Sequence, residues 1–278
     1  MKKTFLMIAA CAVSMLASAQ ILEVQSIEQL PAASFEDARV AGISPNGDYV
    51  LMTTGSYQGL VCYNIATSEK QVISQAANAG FDVQISRDGQ ELAFSERTFN
   101  ADKTTTTTTF VRANVKKNDK VVMASQQAAF ASLESSNVIL SNEEGTMYVV
   151  RNGKRIVVAP FGTEDRIYIW TSLSPDKSKI CYHLGGMGTY VCNLDGSNNQ
   201  LVGSDLLCPQ WYDNNTLIGT HERDNGRFIT AAAIVAYTLD GKVQTLTTNE
   251  MIAMDPYAAN GKIVFTTAEG KTYVMNVK

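Results

Sequence analysis

The sequence predicts an all-β protein, a six-bladed β-propeller built from four-stranded antiparallel blades. Three observations lead to this prediction. A short phrase recurs along the chain, β-branched and aromatic runs alternate with turn residues, and no convincing amphipathic helix of ten residues is found beyond the first twenty residues. Repeats of about 40–50 residues are typical of the blades of a propeller.

The recurring phrase is a turn followed by two apolar strands. Ser-Pro-Asn-Gly at 44–47, Ser-Pro-Asp-Lys at 174–177 and Ala-Ala-Asn-Gly at 258–261 each precede an aliphatic strand and then a strand that contains Tyr and Val. The turn after the first strand of a unit recurs every 38–49 residues, at Ser44, Ser86, Ser135, Ser174, Tyr212 and Tyr257. Six units therefore fill the chain that follows the first 19 residues.

Each unit is expected to contain an inner strand, a turn, two apolar strands and an outer strand. Asp-Gly at 195–196 and 240–241 and Asn-Gly at 152–153 are typical of the tight turn between the third and fourth strands. The Ala/Ser/Gln-rich segment 123–133 is predicted to be a loop that leads into an inner strand. The predicted blades cover residues 37–75, 80–125, 128–160, 165–203, 206–248 and 251–278, within a single domain at 20–278.

The ring is expected to close through the N-terminal segment. The sixth unit ends at Lys278 after its third strand, whereas residues 21–28 form an extended segment without a unit of its own. An open ring would leave an unpaired strand edge. We therefore predict that residues 21–28 form the outer strand of the last blade.

These units resemble the TolB-like six-bladed propeller family, whose repeat is roughly Ser-Pro-Asp-Gly, Lys-aliphatic-Ala-Phe, then aliphatic-Tyr-Val-Met-Asp-Leu-Asp-Gly. The units at 38–74, 166–203 and 252–278 fit this repeat best, and the unit at 124–160 fits it worst. The resemblance implies the fold but says little about function. Blades of this family occur in scaffolds, in accessory domains of peptidases and in some lyases. TolB itself has an α/β domain before its propeller, for which this chain has no room, so TolB's envelope partners are not carried over.

Residues 1–19 are predicted to be a signal peptide. Lys2 and Lys3 precede an apolar stretch at 5–16, and Ala-Ser-Ala at 17–19 is typical of a cleavage site. This pattern predicts a periplasmic or secreted protein, and no later segment is long enough to span a membrane. The alternative is a lipoprotein anchored at Cys11, since Ile-Ala-Ala-Cys at 8–11 resembles a lipobox.

The charge of the chain argues against a nucleic-acid partner. Its 23 basic and 27 acidic residues give a formal net charge of −4, and the first 20 residues contribute two of the lysines and no acid. A nucleic-acid surface needs a clustered basic face. The only basic cluster, Lys116-Lys117, lies in a segment with turn composition.

Cys181 and Cys192 are candidates for a disulfide. If Gly-Gly-Met-Gly at 185–188 forms the tip of a hairpin, the two cysteines lie directly opposite each other, at a separation that a disulfide can just bridge. The alternative is a pair of buried thiols that act as small apolar residues. The spacing of the cysteines does not fit a zinc site.

Candidate ligand-binding residues lie on two long connections between second and third strands. These run from about residue 96 to 109 in blade two and from about 221 to 231 in blade five, which are opposite blades of a six-membered ring. Long loops on a rigid scaffold commonly carry function. The polar residues predicted on this face are Glu96, Arg97, His183, His221, Glu222 and Arg223. Arginines would bind anionic groups and carboxylates would bind hydroxyls or amines, while the alternative is ordinary loop ion pairs.

The sequence contains no Gly-x-Ser-x-Gly, His-Glu-x-x-His or phosphate-loop motif, so no catalytic residue, metal or cofactor is predicted. The leading hypothesis is a monomeric, non-enzymatic protein that binds a protein partner or a small polar ligand on the long-loop face. The alternatives are an envelope polysaccharide-binding protein and a hydrolase or lyase with a site at the mouth of the channel. Trp170 and Trp211 are predicted on or beside inner strands, where they could stack on a sugar or pack between blades.

Overall fold

The computed structural model describes residues 20–117, 119–133 and 138–278, which form a ring of six antiparallel sheets. The predicted signal peptide, the Cys11 lipobox and the predicted turn at Ser135 lie outside the described residues. The inner strands of blades four, five, six and one contact one another in turn around the central channel. The predicted six-bladed, all-β propeller is confirmed.

Strand β1 (Val24–Gln29) precedes the first blade and is followed by a 3-10 turn at Pro31–Ala33. Blades one and two are complete four-stranded sheets, and the second and third strands of blade two are the longer ones. Their strands, from the channel outward, are β2 (Ala38–Ile43), β3 (Tyr49–Thr54), β4 (Leu60–Asn64) and β5 (Lys70–Ser74), then β6 (Gln84–Ile85), β7 (Glu91–Phe99), β8 (Thr106–Asn114) and β9 (Lys120–Met123).

Blade three departs from the prediction. Its described strands are β10 (Val138–Glu143), β11 (Thr146–Arg151) and β12 (Lys154–Val158), and they follow helix α1 (Gln126–Leu133). The prediction of a loop at 123–133 is therefore wrong, because residues 126–133 form a helix. The segment lacks the β-branched residues that favour strands, and its Ala, Gln and Leu residues tolerate a helix well. The helix buries Phe130 between blades two and three.

Blades four, five and six complete the ring. Blades four and five are four-stranded, and a second 3-10 turn at Asn249–Met251 leads into blade six. Their strands are β13 (Tyr168–Leu173), β14 (Lys179–Leu184), β15 (Gly188–Asn193) and β16 (Gln200–Gly203), then β17 (Leu207–Trp211), β18 (Thr216–Asp224), β19 (Ile229–Thr238) and β20 (Val243–Thr245), then β21 (Ala253–Ala259), β22 (Lys262–Thr267) and β23 (Thr272–Val277).

The ring closes as predicted. Strand β1 pairs antiparallel with β23 and becomes the outer strand of blade six, with Val24 opposite Val277 and Gln29 opposite Tyr273. The backbone amides of Glu23 and Lys278 also exchange hydrogen bonds with each other's carbonyls, at 2.9 and 3.0 Å. The first and last strands of the propeller thus share one sheet.

Apolar side chains from adjacent blades form the core. Six buried clusters occur, one for each blade-to-blade interface, and Leu51 and Phe94 at the interface of blades one and two are representative. Trp211 belongs to the interface of blades four and five, where its indole N–H donates to the carbonyl of Ser172 at 3.4 Å. The expected packing between blades holds for this tryptophan.

The recurring serine stabilises the turn after the inner strand. The hydroxyl of buried Ser174 accepts hydrogen bonds from the backbone amides of Ser178 and Lys179, and it donates to Asp176 at 2.6 Å. Ser44 accepts two backbone amides in the same way. Since a buried turn amide needs a partner, a short polar side chain at this position has a structural role.

The predicted disulfide is not formed, and both thiols are free. Cys181 lies opposite Val191 and Cys192 lies opposite Ile180, because Gly188 already belongs to β15 and the turn has three residues instead of four. This slip of one residue places the two cysteines on opposite faces of the sheet. Cys192 accordingly packs between blades three and four, and Cys181 between blades four and five.

Candidate functional site

Two hairpins rise from the same face of the ring, on opposite blades. Strands β7 and β18 have nine residues each, whereas the corresponding strands of the other blades have six. Three further residues extend a strand by about 10 Å. We call the side that carries these hairpins, together with the connections between blades, the hairpin face, and the opposite side the turn face.

The long loops predicted in blades two and five are thus mostly paired strand. The turn of the blade-two hairpin covers 100–105 and that of the blade-five hairpin covers 225–228. Thr106 to Thr109 extend β8 and pair with β7. Both hairpins are therefore held by backbone hydrogen bonds rather than being irregular loops.

Among the described residues, the hairpin face carries the exposed aromatic side chains. Fifteen large apolar side chains are exposed among the described residues, of which eight lie on the outermost strands and seven on the hairpin face. All five aromatic ones belong to the hairpin face, and the turn face has none of the fifteen. The seven are Tyr57, Phe81, Phe99, Ile167, Trp170, Phe228 and Ile229.

The inner strands bulge at the mouth of the channel. Strands β13, β17 and β21 each lose register by one step, and the residue in the bulge has a positive φ: 50° for Trp170, 48° for Cys208 and 51° for Asp255. Non-glycine residues rarely adopt this left-handed conformation. The same bulge therefore recurs at the same place in three consecutive blades.

Charges from several blades meet at this mouth. Arg39 of blade one forms an ion pair with Asp255 of blade six at 3.1 Å. Burial raises the pKa of Asp255, and the negative charge of Glu222 adds to that rise while Arg39 opposes it. Burial also raises the pKa of Tyr257, helped by the carboxylates of Asp255 and Asp82 on separate blades. The channel mouth therefore brings together acidic groups from separate blades and Arg39, which is paired with Asp255.

A cleft lies beside the blade-five hairpin. Its volume is about 250 Å³. A buried apolar floor and a polar rim line it, contributed by Asp205, His221, Glu222, Arg223, Ala233, Val235, Thr245 and Asn249. Three of the six predicted site residues thus come together at one place.

Two hydrogen bonds organise the polar end of the cleft. The hydroxyl of Tyr237 donates to Asp205 at 3.0 Å and also lies 2.6 Å from Nε2 of His221. A hydroxyl has a single hydrogen, so Nε2 of His221 donates to Tyr237 and Nδ1 is left as an acceptor. Burial lowers the pKa of His221, which the nearby Asp205 partly offsets, and the neutral ring is favoured at pH 7.

The other predicted histidine has a structural environment. His183 is buried, and its Nδ1 lies 3.0 Å from the hydroxyl of Thr189, which in turn donates to the carbonyl of Leu206 at 2.6 Å. Its ring packs against Trp170 at 5.0 Å. Burial lowers the pKa of His183. This side chain supports the exposed Trp170 instead of facing the cleft.

Glu96 and Arg97 lie on the opposite hairpin and do not join the cleft. Glu96 accepts hydrogen bonds from Ser74 at 2.7 Å and Lys120 at 2.6 Å. Burial alone would raise the pKa of Glu96, but these two donors together lower it. Its partners satisfy it within blades one and two, which fits the alternative of an ordinary ion pair.

Several residues of these sites were not predicted. Asp205 and Tyr237 complete the cleft, and Arg39 and Asp255 form the ion pair at the channel mouth. Asp205 lies in a three-residue connection between blades, and Tyr237 is surrounded by apolar strand residues, so neither stands out in the sequence. The bulge residue Cys208 precedes the turn residue Tyr212 by four, as Trp170 precedes Ser174, so counting back from the turn would have found Cys208.

Among the described residues, no group of three or more His, Cys, Asp and Glu side chains is arranged to hold a metal ion. The same residues include no helix of the length and apolarity that a membrane crossing requires.

No family model matches the sequence, and no curated protein matches it. Among solved structures, the chain resembles TolB from Acinetobacter baumannii with a TM-score of 0.55 and 12% identity, over 78% of this chain and 55% of that chain. A putative TolB from Agrobacterium tumefaciens matches with a TM-score of 0.54 and 13% identity, over 91% of this chain and 96% of that one. The chain thus spans only about half the length of the Acinetobacter protein.

A chain of the mitotic checkpoint complex is similar as well, with a TM-score of 0.57 and 11% identity over 99% of this chain and 98% of that chain. Identities this low show the fold alone. The chain has a TolB-like six-bladed propeller fold, as predicted from its repeat. Because TolB and a chain of the mitotic checkpoint complex share the architecture, function has to be argued from the site.

Proposed function

We propose that this chain is a binding protein that docks a protein partner on its hairpin face. The observation that carries the proposal is the placement of all five exposed aromatic side chains on that face. Aromatic residues are enriched in protein interfaces, where they supply much of the binding energy.

The shape of the face supports this proposal. The hairpins of blades two and five stand on opposite sides of the channel, and each has an aromatic residue near its tip, Phe99 and Phe228. Tyr57 and Phe81 pack edge to face at 5.1 Å between blades one and two. A partner seated between the hairpins would contact both tips and this aromatic pair at once.

Site-specific photo-crosslinking tests the proposal. A photoreactive amino acid is placed at Phe99 or Phe228 on the hairpin face, and at exposed Ala66 on the turn face as the matched control. We expect crosslinks to the same protein from both hairpins in intact cells and none to it from position 66. Equal crosslinking from all three positions, or none from either hairpin, would contradict the proposal.

One observation favours an envelope polysaccharide as a second candidate. Trp170 is 41% exposed at the channel mouth, and His183 supports one side of its ring. An exposed indole held in this way could stack on a sugar. Retention of the protein on cell-envelope polysaccharide that is lost in Trp170→Ala, but kept in Phe228→Ala, would support this candidate over the protein partner.

We further propose that the chain acts in the periplasm or is secreted, which rests on the sequence pattern at 1–19. Fractionation of cells that express the full chain tests this, with loss of the first 19 residues as the expected result.

A further inference from the structure

The cleft of blade five exists because the connection in front of this blade is short. Three residues, 204–206, join β16 to β17, so they cannot reach up the raised hairpin. In blade two, nine residues at 75–83 make the same connection, and they cover the hairpin. There the amide of Arg97 donates to the carbonyl of Ala77 at 2.8 Å. The space beside the raised hairpin is therefore filled by the connection in blade two and open in blade five.

The polar groups of the cleft are arranged with opposite charges at its two ends. At one end, Asp205 is 65% exposed, its Oδ1 accepts from Tyr237, and its Oδ2 lies 3.5 Å from Nε2 of His221. A carboxylate oxygen can accept more than one hydrogen bond, so the exposed Asp205 can still accept from a further donor. Nδ1 of His221 is an acceptor at the same end, for the reason given above. This end of the cleft offers two acceptors to a donor group such as an ammonium ion.

The other end offers a cation. Arg223 follows His221 by two residues in β18 and so projects from the same face of the strand, about 6.6 Å away along the chain. Its side chain is exposed and forms no hydrogen bond or ion pair with any other described residue. An unpaired guanidinium beside a cleft can hold a carboxylate through two parallel hydrogen bonds.

The floor between these ends is apolar and small. Ala233 and Val235 are buried in β19 and line the cleft. A volume of about 250 Å³ corresponds to about eight water molecules at ~30 Å³ each, which is at the lower limit for a ligand site. Only a compact molecule fits.

We propose that this cleft binds a small α-amino acid, with its carboxylate on Arg223 and its ammonium group on Asp205 and His221. A compact zwitterion of this kind carries an anionic group for Arg223 and a cationic group for Asp205. A simple carboxylate bound to Arg223 has no positive group to offset the negative charge of Asp205. A simple amine bound to Asp205 has no carboxylate to pair with Arg223. The inference does not rest on a protein partner, because the cleft is complete in the isolated chain.

Titration calorimetry on the purified protein tests the inference, with L-alanine as the probe and with propionate and ethylamine as analogues that each lack one of its charges. We expect alanine to bind and both analogues to bind at least about tenfold more weakly. Asp205→Asn and Arg223→Gln should each weaken alanine binding by about tenfold or more, which corresponds to about 1.4 kcal/mol.

Arg97→Gln on the opposite hairpin is the matched control, because Arg97 is also exposed and follows a glutamate at the equivalent place in β7. It should leave alanine binding unchanged. Binding of propionate as tight as that of alanine, or equal losses in the Arg97 and Arg223 variants, would overturn the inference. Absence of binding for glycine, alanine and serine in the wild type would overturn it as well, whatever the crosslinking of the hairpin face shows.

Discussion

Replacing Leu22 with alanine should destabilise the whole propeller, although Leu22 lies just before the first strand. Its side chain is 5% exposed and packs with Ile218 of blade five and Phe265 of blade six. The backbone amide of Leu22 donates to Oε1 of Gln244 at 2.8 Å, and Nε2 of Gln244 donates back to the carbonyl of Leu22 at 2.8 Å. This residue therefore connects the segment that closes the ring to two blades.

The size of the effect follows from this burial. Truncating a buried leucine to alanine costs about 2–5 kcal/mol in the free energy of unfolding. For a domain of this size, ~3 kcal/mol lowers the melting temperature by about 6–12 °C. Val24, two residues later, is 37% exposed, so Val24→Ala should change stability by less than ~0.5 kcal/mol.

Urea unfolding measures the difference. Tryptophan fluorescence reports on Trp170 and Trp211 in blades four and five, and far-ultraviolet circular dichroism reports on all the sheets. If the ring unfolds as one unit, the midpoint for Leu22→Ala falls in both signals while the slope stays that of the wild type.

Deleting residues 20–29 should have a larger effect, because it also exposes the edge of β23. A Leu22→Ala midpoint equal to that of Val24→Ala would refute the reasoning, and so would a truncated chain that unfolds like the wild type. Either result would mean that closure by β1 adds little to the stability of the ring.

Three further predictions concern the turn, the buried histidine and the thiols. Ser174→Ala removes the acceptor of the Lys179 amide and one of the two acceptors of the Ser178 amide, so it should cost about 1–3 kcal/mol in urea unfolding. Ser178→Ala, on an exposed side chain of the same turn, should stay within ~0.5 kcal/mol. Burial lowers the pKa of His183, so below pH ~6.5 the unfolded chain takes up a proton that the folded chain does not. Stability should therefore fall as the pH drops from about 6.5 to 5, and His183→Gln should show a shallower fall; equal slopes would contradict the assignment. Cys181 and Cys192 should both react with a thiol reagent in urea without any reductant, and a mass lower by two hydrogens before reduction would show a disulfide instead.

The sequence predicts the ring well because its information is periodic. The turn residues, the Asp-Gly and Asn-Gly dipeptides and the β-branched runs each depend on local conformation, and together they mark six units. The strand count of the sequence shows that the last unit lacks a fourth strand. Closure by β1 then follows from the cost of an unpaired edge.

The prediction fails where the local preference for strand or helix is weak, or where a difference of one residue in a turn changes the register. Residues 126–133 have no strong preference for strand, so packing of Phe130 between two blades selects a helix. The turn at 185–187 is one residue shorter than expected, and this slip is enough to separate Cys181 from Cys192.

The residues of the candidate sites also include some that the sequence predicts and some that it does not. The six-bladed architecture, its closure, and the two opposite blades with long segments between second and third strands could all be predicted from the amino-acid sequence. It also singled out His221, Glu222 and Arg223, because polar residues at the end of a strand are visible in a pattern.

Which side chains contact one another depends on the tertiary structure. Asp205 and Tyr237 are 32 residues apart and come together because the short connection of 204–206 places the carboxylate against blade five. Arg39 and Asp255 meet only because the ring brings blade six back to blade one. Such contacts depend on how sheets pack around a closed ring, and that packing is a property of the whole chain, which no local pattern contains.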